Sequence, residues 1–178
     1  YAVVEFGQQG VNLWQSDAVI NHSIMRWNNW EGLYTESYST PIIEYNWVYE
    51  NGYNGMALEQ FNDARINYNI FEKSGTNGLH VDASSVSAKG NIIRNNNANG
   101  LSLDDHAIVS AEFNTIEGNK GLQVACEEGE NKIELVGNKI TGEIGCVNVL
   151  NSGGEQGAGQ GAGALDFAWL PAKEKELG

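Results

Sequence analysis

This chain has little that is basic, little proline and no long apolar run. Lys and Arg total 10 against 23 Asp and Glu, a formal net charge of -13. That excess of acid argues against a nucleic-acid partner, whose phosphates need cationic contacts. No apolar stretch approaches the roughly 18 residues that a membrane-spanning helix requires. Pro41 and Pro171 are the only prolines. No stretch before the tail sustains a helical period. Cys126 and Cys146 are the only cysteines, so at most one disulfide can form.

What is there is periodic. Asn46, Asn69, Asn91, Asn114 and Asn138 recur at steps of 23, 22, 23 and 24 residues. Gly32-Leu33, Gly55-Met56, Gly78-Leu79, Gly100-Leu101 and Gly121-Leu122 recur at steps of 23, 23, 22 and 21. Two markers sharing one period indicate a unit stacked on itself. Within a unit, apolar residues alternate in short runs such as Leu101-Ser102-Leu103, the in-out-in pattern of a strand. Asn, Gly and Ser between the runs are turn residues. A unit this short cannot bury its own apolar residues, but stacked coils can, with each strand pairing in parallel about 4.8 Å from its copy.

Stacking predicts columns. Leu33, Met56, Leu79, Leu101, Leu122 and Val147 form one inward column, and Leu58, Val81, Leu103, Val124 and Val149 a second. Val48, Ile93, Ile116 and Ile140 form a third. The Asn column fits a sharp bend, because Asn tolerates left-handed backbone angles and stacked amides can bond to one another.

The repeated N-x-[IV]-x-x-N…G-L-x-[LV], as in Asn91-Ile92-Ile93-Arg94-Asn95 leading to Gly100-Leu101-Ser102-Leu103, resembles the right-handed parallel β-helix, or pectin-lyase-like, superfamily. The resemblance covers roughly residues 10 to 150 and implies an all-β solenoid of about seven coils. A leucine-rich repeat fits less well, because these units carry two strand-like runs and lack a helix-length polar half. The expected division is a β-helix domain over 1–150 and a Gly-rich linker with a short terminal segment over 151–178. Val11-Asn12-Leu13 matches Leu33-Tyr34-Thr35, so the chain opens inside a coil already under way. The expectation is a piece of a longer solenoid, or one capped by other protein subunits.

The superfamily carries lyases, hydrolases, adhesins and passive spacers, so the resemblance names a fold rather than an activity. Its polysaccharide-degrading members bind substrate along one parallel sheet. Here the residue closing each Leu-x-Leu strand reads Trp14, Glu36, Glu59, Asp82, Asp104 and Ala125. Stacked acids about 5 Å apart raise one another's pKa or attract a cation. Glu59, Asp82 and Asp104 are therefore candidate Ca2+ ligands, since calcium favours several carboxylate oxygens. Asp82 and Asp104 with His80 are the candidate catalytic set. About 5 Å also suits a retaining glycosidase pair.

The Asp104-Asp105 pair resembles one polygalacturonase element. The companion Asn-Thr-Asp, Gly-His-Gly and Arg-x-Lys elements are missing, and no Lys or Arg lies on the column to serve as a lyase base. A stripe of acids can equally be a solvated face that keeps sheets apart. Tyr34, His80, Trp30 and Tyr53 are candidate glycan contacts. The position after each ladder Asn reads Trp47, Ile70, Ile92, Thr115 and Lys139; its three neighbouring large apolar residues are an expected exposed patch and so a candidate interface. Phe167 and Trp169 in the tail are further interface candidates.

Glu72, Arg94 and Glu117 alternate in sign and predict pairing between coils. Cys146 falls at the start of its strand and Cys126 past the end of the preceding one, an offset beyond the ~7 Å limit for a disulfide. The expectation is therefore no bond between them. Asn21-His22-Ser23 is a glycosylation sequon, but Asn21 is expected in the buried Asn column. The functional expectation is a non-catalytic, extracellular or secreted β-helix module with structural or glycan contacts. The alternative is a fragment of a polysaccharide lyase or glycoside hydrolase.

Overall fold

The computed structural model describes residues 1–147 and 149–151. The expected Phe167 and Trp169 contacts lie outside the described residues. Among the described residues the chain winds as a parallel β-helix of six to seven coils, right-handed as parallel crossovers almost always are. Each coil visits three sheets in turn. The first sheet has six strands, from Val11–Trp14 through Leu33–Glu36, Met56–Glu59, Leu79–Asp82 and Leu101–Asp104 to Val124–Cys126. The second has seven, from Val19–Asn21 to Val149–Asn151, and the third has seven, from Val3–Glu5 to Lys139–Thr141.

The core is the set of inward columns. Leu33, Met56, Leu79 and Leu101 stack in register on the first sheet, as do Leu58, Val81 and Leu103. Val48, Phe71, Ile93, Ile116 and Ile140 stack on the third. Nearly all are fully buried, and they form one continuous cluster.

The next coil departs from the expected register. Leu101 pairs with Val124, and Leu103 with Cys126. The true step is 23 residues, so Gly121-Leu122 is a coincidental Gly-Leu that sits over Ala98 and Asn99, and Gln123 takes the place of Gly100. Leu122 is only half-buried, Val147 is exposed, and Val149 pairs with Ile133 on the second sheet rather than joining the first. This two-residue correction also overturns the expectation for the cysteines. Cys126 lies over Leu103, and Ile144 bridges Val124, so Cys146 falls one coil above Cys126. The two are disulfide-bonded with Cα atoms 4.9 Å apart.

The corners explain the Asn column. Above Asn46, each ladder Asn takes hydrogen bonds on Oδ1 from the backbone N–H and Nδ2 of the Asn one coil below: Asn46 onto Asn69 at 2.9 and 3.0 Å, and Asn114 onto Asn138 at 2.7 and 2.9 Å. The left-handed backbone falls on the residue before the Asn: Tyr45, Tyr68, Gly90, Phe113 and Gly137 have φ of 56, 56, 65, 54 and 61°. A non-glycine residue there costs about 1–2 kcal/mol. Stacked rings accompany it at the lower coils, where Tyr45 lies 5.2 Å from His22 on one side and 5.2 Å from Tyr68 on the other. Gly90 ends that stack, because a Cβ there would come within 2.6 Å of the Tyr68 ring.

Two further ladders were not foreseen. Asn28, Asn51, Ser74, Asn96 and Asn119 line the corner between the third and first sheets, and Ser39, Asn62, Ser84 and Asn131 the corner between the first and second. Asn21 is not the ladder residue of its coil. It is exposed at the end of its strand, and Ser23 holds the ladder position, donating its N–H to Asn46 Oδ1. The sequon therefore presents an exposed amide.

The expected apolar patch is not exposed. Trp47 and Ile70 are buried and Ile92 half-buried, packed with Ile24 and Tyr49 on the outer face of the third sheet. The Trp47 ring lies 4.4 Å from Tyr49, and its Nε1 donates to Glu72 Oε1 at 2.9 Å. Long side chains thus cover the apolar strip from within the chain. Of the expected charge ladder, Arg94 pairs with Glu72 at 2.6 Å, while Glu117 lies in register with Arg94 and pairs with Lys139 at 3.0 Å; Arg26–Glu5 at 2.8 Å is a further pair.

Candidate functional site

The acidic row runs up the outer edge of the first sheet. In-register pairing puts Glu36 beside Glu59 and Asp82 beside Asp104, at the ~4.8 Å spacing of neighbouring strands. Because Cys126 lies over Leu103, the same register continues the row to Glu127. Ala125, the expected end of the row, instead lies over Ser102. His80 faces outward two residues before Asp82, between Ala57 and Ser102. The structure therefore brings Asp82, His80 and Asp104 together on one face. His80 Nδ1 is buried with no hydrogen-bond partner among the described residues.

Neighbours divide the row. The Tyr34 hydroxyl donates to Glu59 Oε2 at 2.6 Å, and Ser102 Oγ donates to Glu127 Oε1 at 2.9 Å. Burial, the bond to Glu59 and the nearby Glu36 and Glu31 push the Tyr34 phenol above its ordinary value. Asp82 is shaped by charge and burial instead. Burial raises its carboxyl first, His80 opposes that, and Asp104, Glu59 and Asp105 raise it further. Among the described residues, no three His, Cys, Asp or Glu side chains gather closely enough to hold a metal ion. Glu59, Asp82 and Asp104 thus do not form the Ca2+ cage that their spacing along the sequence suggested.

Aromatic side chains flank the row. At its foot Trp14, paired with Glu36, is exposed. On the corner toward the third sheet, Trp30 and Tyr53 occupy successive coils, the Tyr53 N–H bonding the Trp30 carbonyl at 3.1 Å. Half of each residue is exposed, at 50% and 52%. With Glu31 they line a cavity of about 230 Å³. Glu31 is buried, and its Oε2 accepts from Gln9 Nε2 at 3.2 Å. Two of the expected glycan contacts thus share one cavity, and Tyr34 sits close enough to Glu31 to feel its charge.

The opposite corner, toward the second sheet, carries a larger cleft of about 570 Å³. It is lined by Phe61, Asp63, Ala83, Ser85, His106 and Ile108, among others. Phe61 was missed in the sequence. Its signal is a turn-length difference: two residues separate Glu59 from Asn62 and Asp104 from Ala107, but only Ala83 separates Asp82 from Ser84.

The right-handed β-helix region is a known protein family, and its pattern matches residues 2–107, more than half of the chain. The chain belongs to the right-handed β-helix family. The fold is consistent with the pectin-lyase-like superfamily. No curated protein and no solved structure gives a match. Membership in the β-helix family fixes the architecture on which these side chains are displayed and leaves their chemistry to be argued from the site. No helix among the described residues is long and apolar enough to cross a membrane.

Proposed function

We propose that this β-helix is a non-catalytic extracellular module that contacts glycan through the aromatic flank of its first sheet, as a rigid part of a larger protein or assembly. The observation that carries the reading is the Trp30–Tyr53 pair, half-exposed on successive coils around a cavity with a buried carboxylate. Apolar ring faces with one fixed polar group suit the mixed surface of a sugar. The Cys126–Cys146 disulfide supports an oxidising compartment. The net charge of -13 favours neutral glycan over acidic polymers.

A second reading, a polysaccharide hydrolase or lyase, is supported by Asp82, whose raised pKa beside His80 and Asp104 is what a general acid needs. Against it, the cationic side chains nearest in sequence are engaged elsewhere. Lys73, Lys89 and Arg94 pair with Glu50, Glu112 and Glu72, away from the first sheet.

Affinity electrophoresis through gels carrying neutral or uronic-acid polysaccharide separates the two. The module reading expects retardation in a neutral gel, weakened by Trp30→Ala and Tyr53→Ala, with no polymer cleaved. Cleavage of a uronic-acid polymer that disappears in both Asp82→Ala and Asp104→Ala establishes the enzyme instead.

A further inference from the structure

The cleft at the corner of the first and second sheets lies where one coil makes a shortened turn. Tyr38 and Phe61 stack on consecutive coils, centroids 5.6 Å apart and planes 23° from parallel. The next coil has a one-residue turn, Ala83, where its neighbours have two. A methyl group, not a ring, therefore follows Phe61 in the stack. The coil after that resumes with Asp105 and His106, whose side chains are bonded at 2.8 Å. The adjoining column repeats the pattern, with Ser85 paired between Asp63 below and Ile108 above. Small residues on one coil, flanked by larger ones on both sides, make the notch.

The notch has the height of one ring. Phe61 and His106 are two coil steps apart, about 9.6 Å at ~4.8 Å each. A ring packed between two surfaces at about 3.5–4.0 Å on either side needs roughly 7–8 Å. The open face of Phe61, 62% exposed, supplies an apolar floor that extends the Tyr38–Phe61 stack. The rim is polar: the carboxylates of Asp63 and Asp105, the Ser85 hydroxyl and the His106 imidazole. The carboxylates accept from hydroxyls and ammonium groups and repel anions.

We propose that this notch binds one pyranose ring that bears no negative charge, a neutral or amino sugar stacked on Phe61 and bonded at its edge by Asp63 and Asp105. The site is separate from the Trp30–Tyr53 cavity, which lies on the other flank of the first sheet, so either can be lost without the other.

The test titrates ¹⁵N-labelled protein with glucose, glucosamine and glucuronate, following backbone amide shifts. Glucose and glucosamine should give saturable shifts at Ser85, Asp105 and His106, with glucuronate at least about tenfold weaker, as like charges require. Ser85→Phe fills the notch from an outward strand position without touching the core and should abolish those shifts. Phe61→Ala should weaken them about tenfold, the order of one aromatic contact. Equal response to glucuronate, or shifts that survive Ser85→Phe, overturns the proposal. Shifts confined to Trp30 and Tyr53 overturn it too, while leaving the glycan contact of that cavity standing.

Discussion

Asn91 Oδ1 accepts two hydrogen bonds from Asn69, one from its backbone N–H at 2.9 Å and one from Nδ2 at 3.1 Å. Asn91 Nδ2 in turn donates to the Ile66 carbonyl at 2.7 Å. These bonds are buried, so truncation strands donors and an acceptor where water cannot replace the lost partner. Asn91→Ala is expected to destabilise the chain by about 3 kcal/mol, since each stranded group costs about 1–3 kcal/mol. Asn97→Ala, on an exposed residue six positions along, should stay within about 0.5 kcal/mol. Urea melts of the two variants check the contrast.

Removing the Cys126–Cys146 bond tests the corrected register. The bond closes a loop with a sequence separation of 20, and its loss should cost about 3 kcal/mol by chain entropy. Hydrogen exchange on a Cys126→Ala/Cys146→Ala variant should show protection lost first around Val124 and Ile144, with the Asn46–Asn114 coils unchanged. Uniform loss along the whole helix would mean that the last coil is not the unit that the bond secures.

Asp82 predicts a pH dependence. Its folded-state pKa lies above the ordinary 3.8, so the folded chain holds that proton more firmly than the unfolded chain. Its contribution is therefore fully present below pH 3.8 and lost as pH rises through the folded value. The responsible groups are the burial of Asp82 itself and the charges of Asp104, Glu59 and Asp105, with His80 opposing. Asp82→Asn removes the ionisation. Its melting temperature should exceed that of the parent at neutral pH, and the difference should shrink on acidification. A difference that does not change with pH would show that Asp82 is not strained by its neighbours.

The repeat was legible because its marker is chemically constrained. A short side chain with both an acceptor and a donor can cap the coil below; Asn fills the position in five successive coils from Asn46 to Asn138, with Ser23 taking it only in the coil beneath them. The other two ladders mix Asn with Ser, as at Ser39, Asn62 and Ser84, and their beat is too irregular to stand out. The left-handed corner residue was invisible because Tyr, Phe and Gly all occupy it.

Gly121-Leu122 misled for the opposite reason. The dipeptide matches the Gly-Leu marker but stands two residues out of phase, and the step of 21 that it required was the shortest of the series. The exposed patch at Trp47, Ile70 and Ile92 failed because alternation gives the side of the sheet and not what lies over it. Tyr49 and Glu72 close that surface, and their reach across coils is a property of side-chain length. Among site residues, Asp82, Asp104 and His80 followed from register alone. Phe61 did not, because its prominence depends on the residue missing at Ala83.

The Asn46–Asn138 column has a direction. Every Asn-to-Asn bond in it runs from an amide of the lower coil to an oxygen of the coil above. Peeling a coil from the upper end strips the coil beneath of acceptors and leaves bare N–H groups. Peeling one from the lower end frees Oδ1 atoms of the coil above but also bares its donors, as Asn91 Nδ2 loses the Ile66 carbonyl and Ile92 N–H loses the Asn69 carbonyl. Loss of a coil at either end of the rod thus bares N–H groups, and the direction of the Asn-to-Asn bonds alone protects neither end from unravelling.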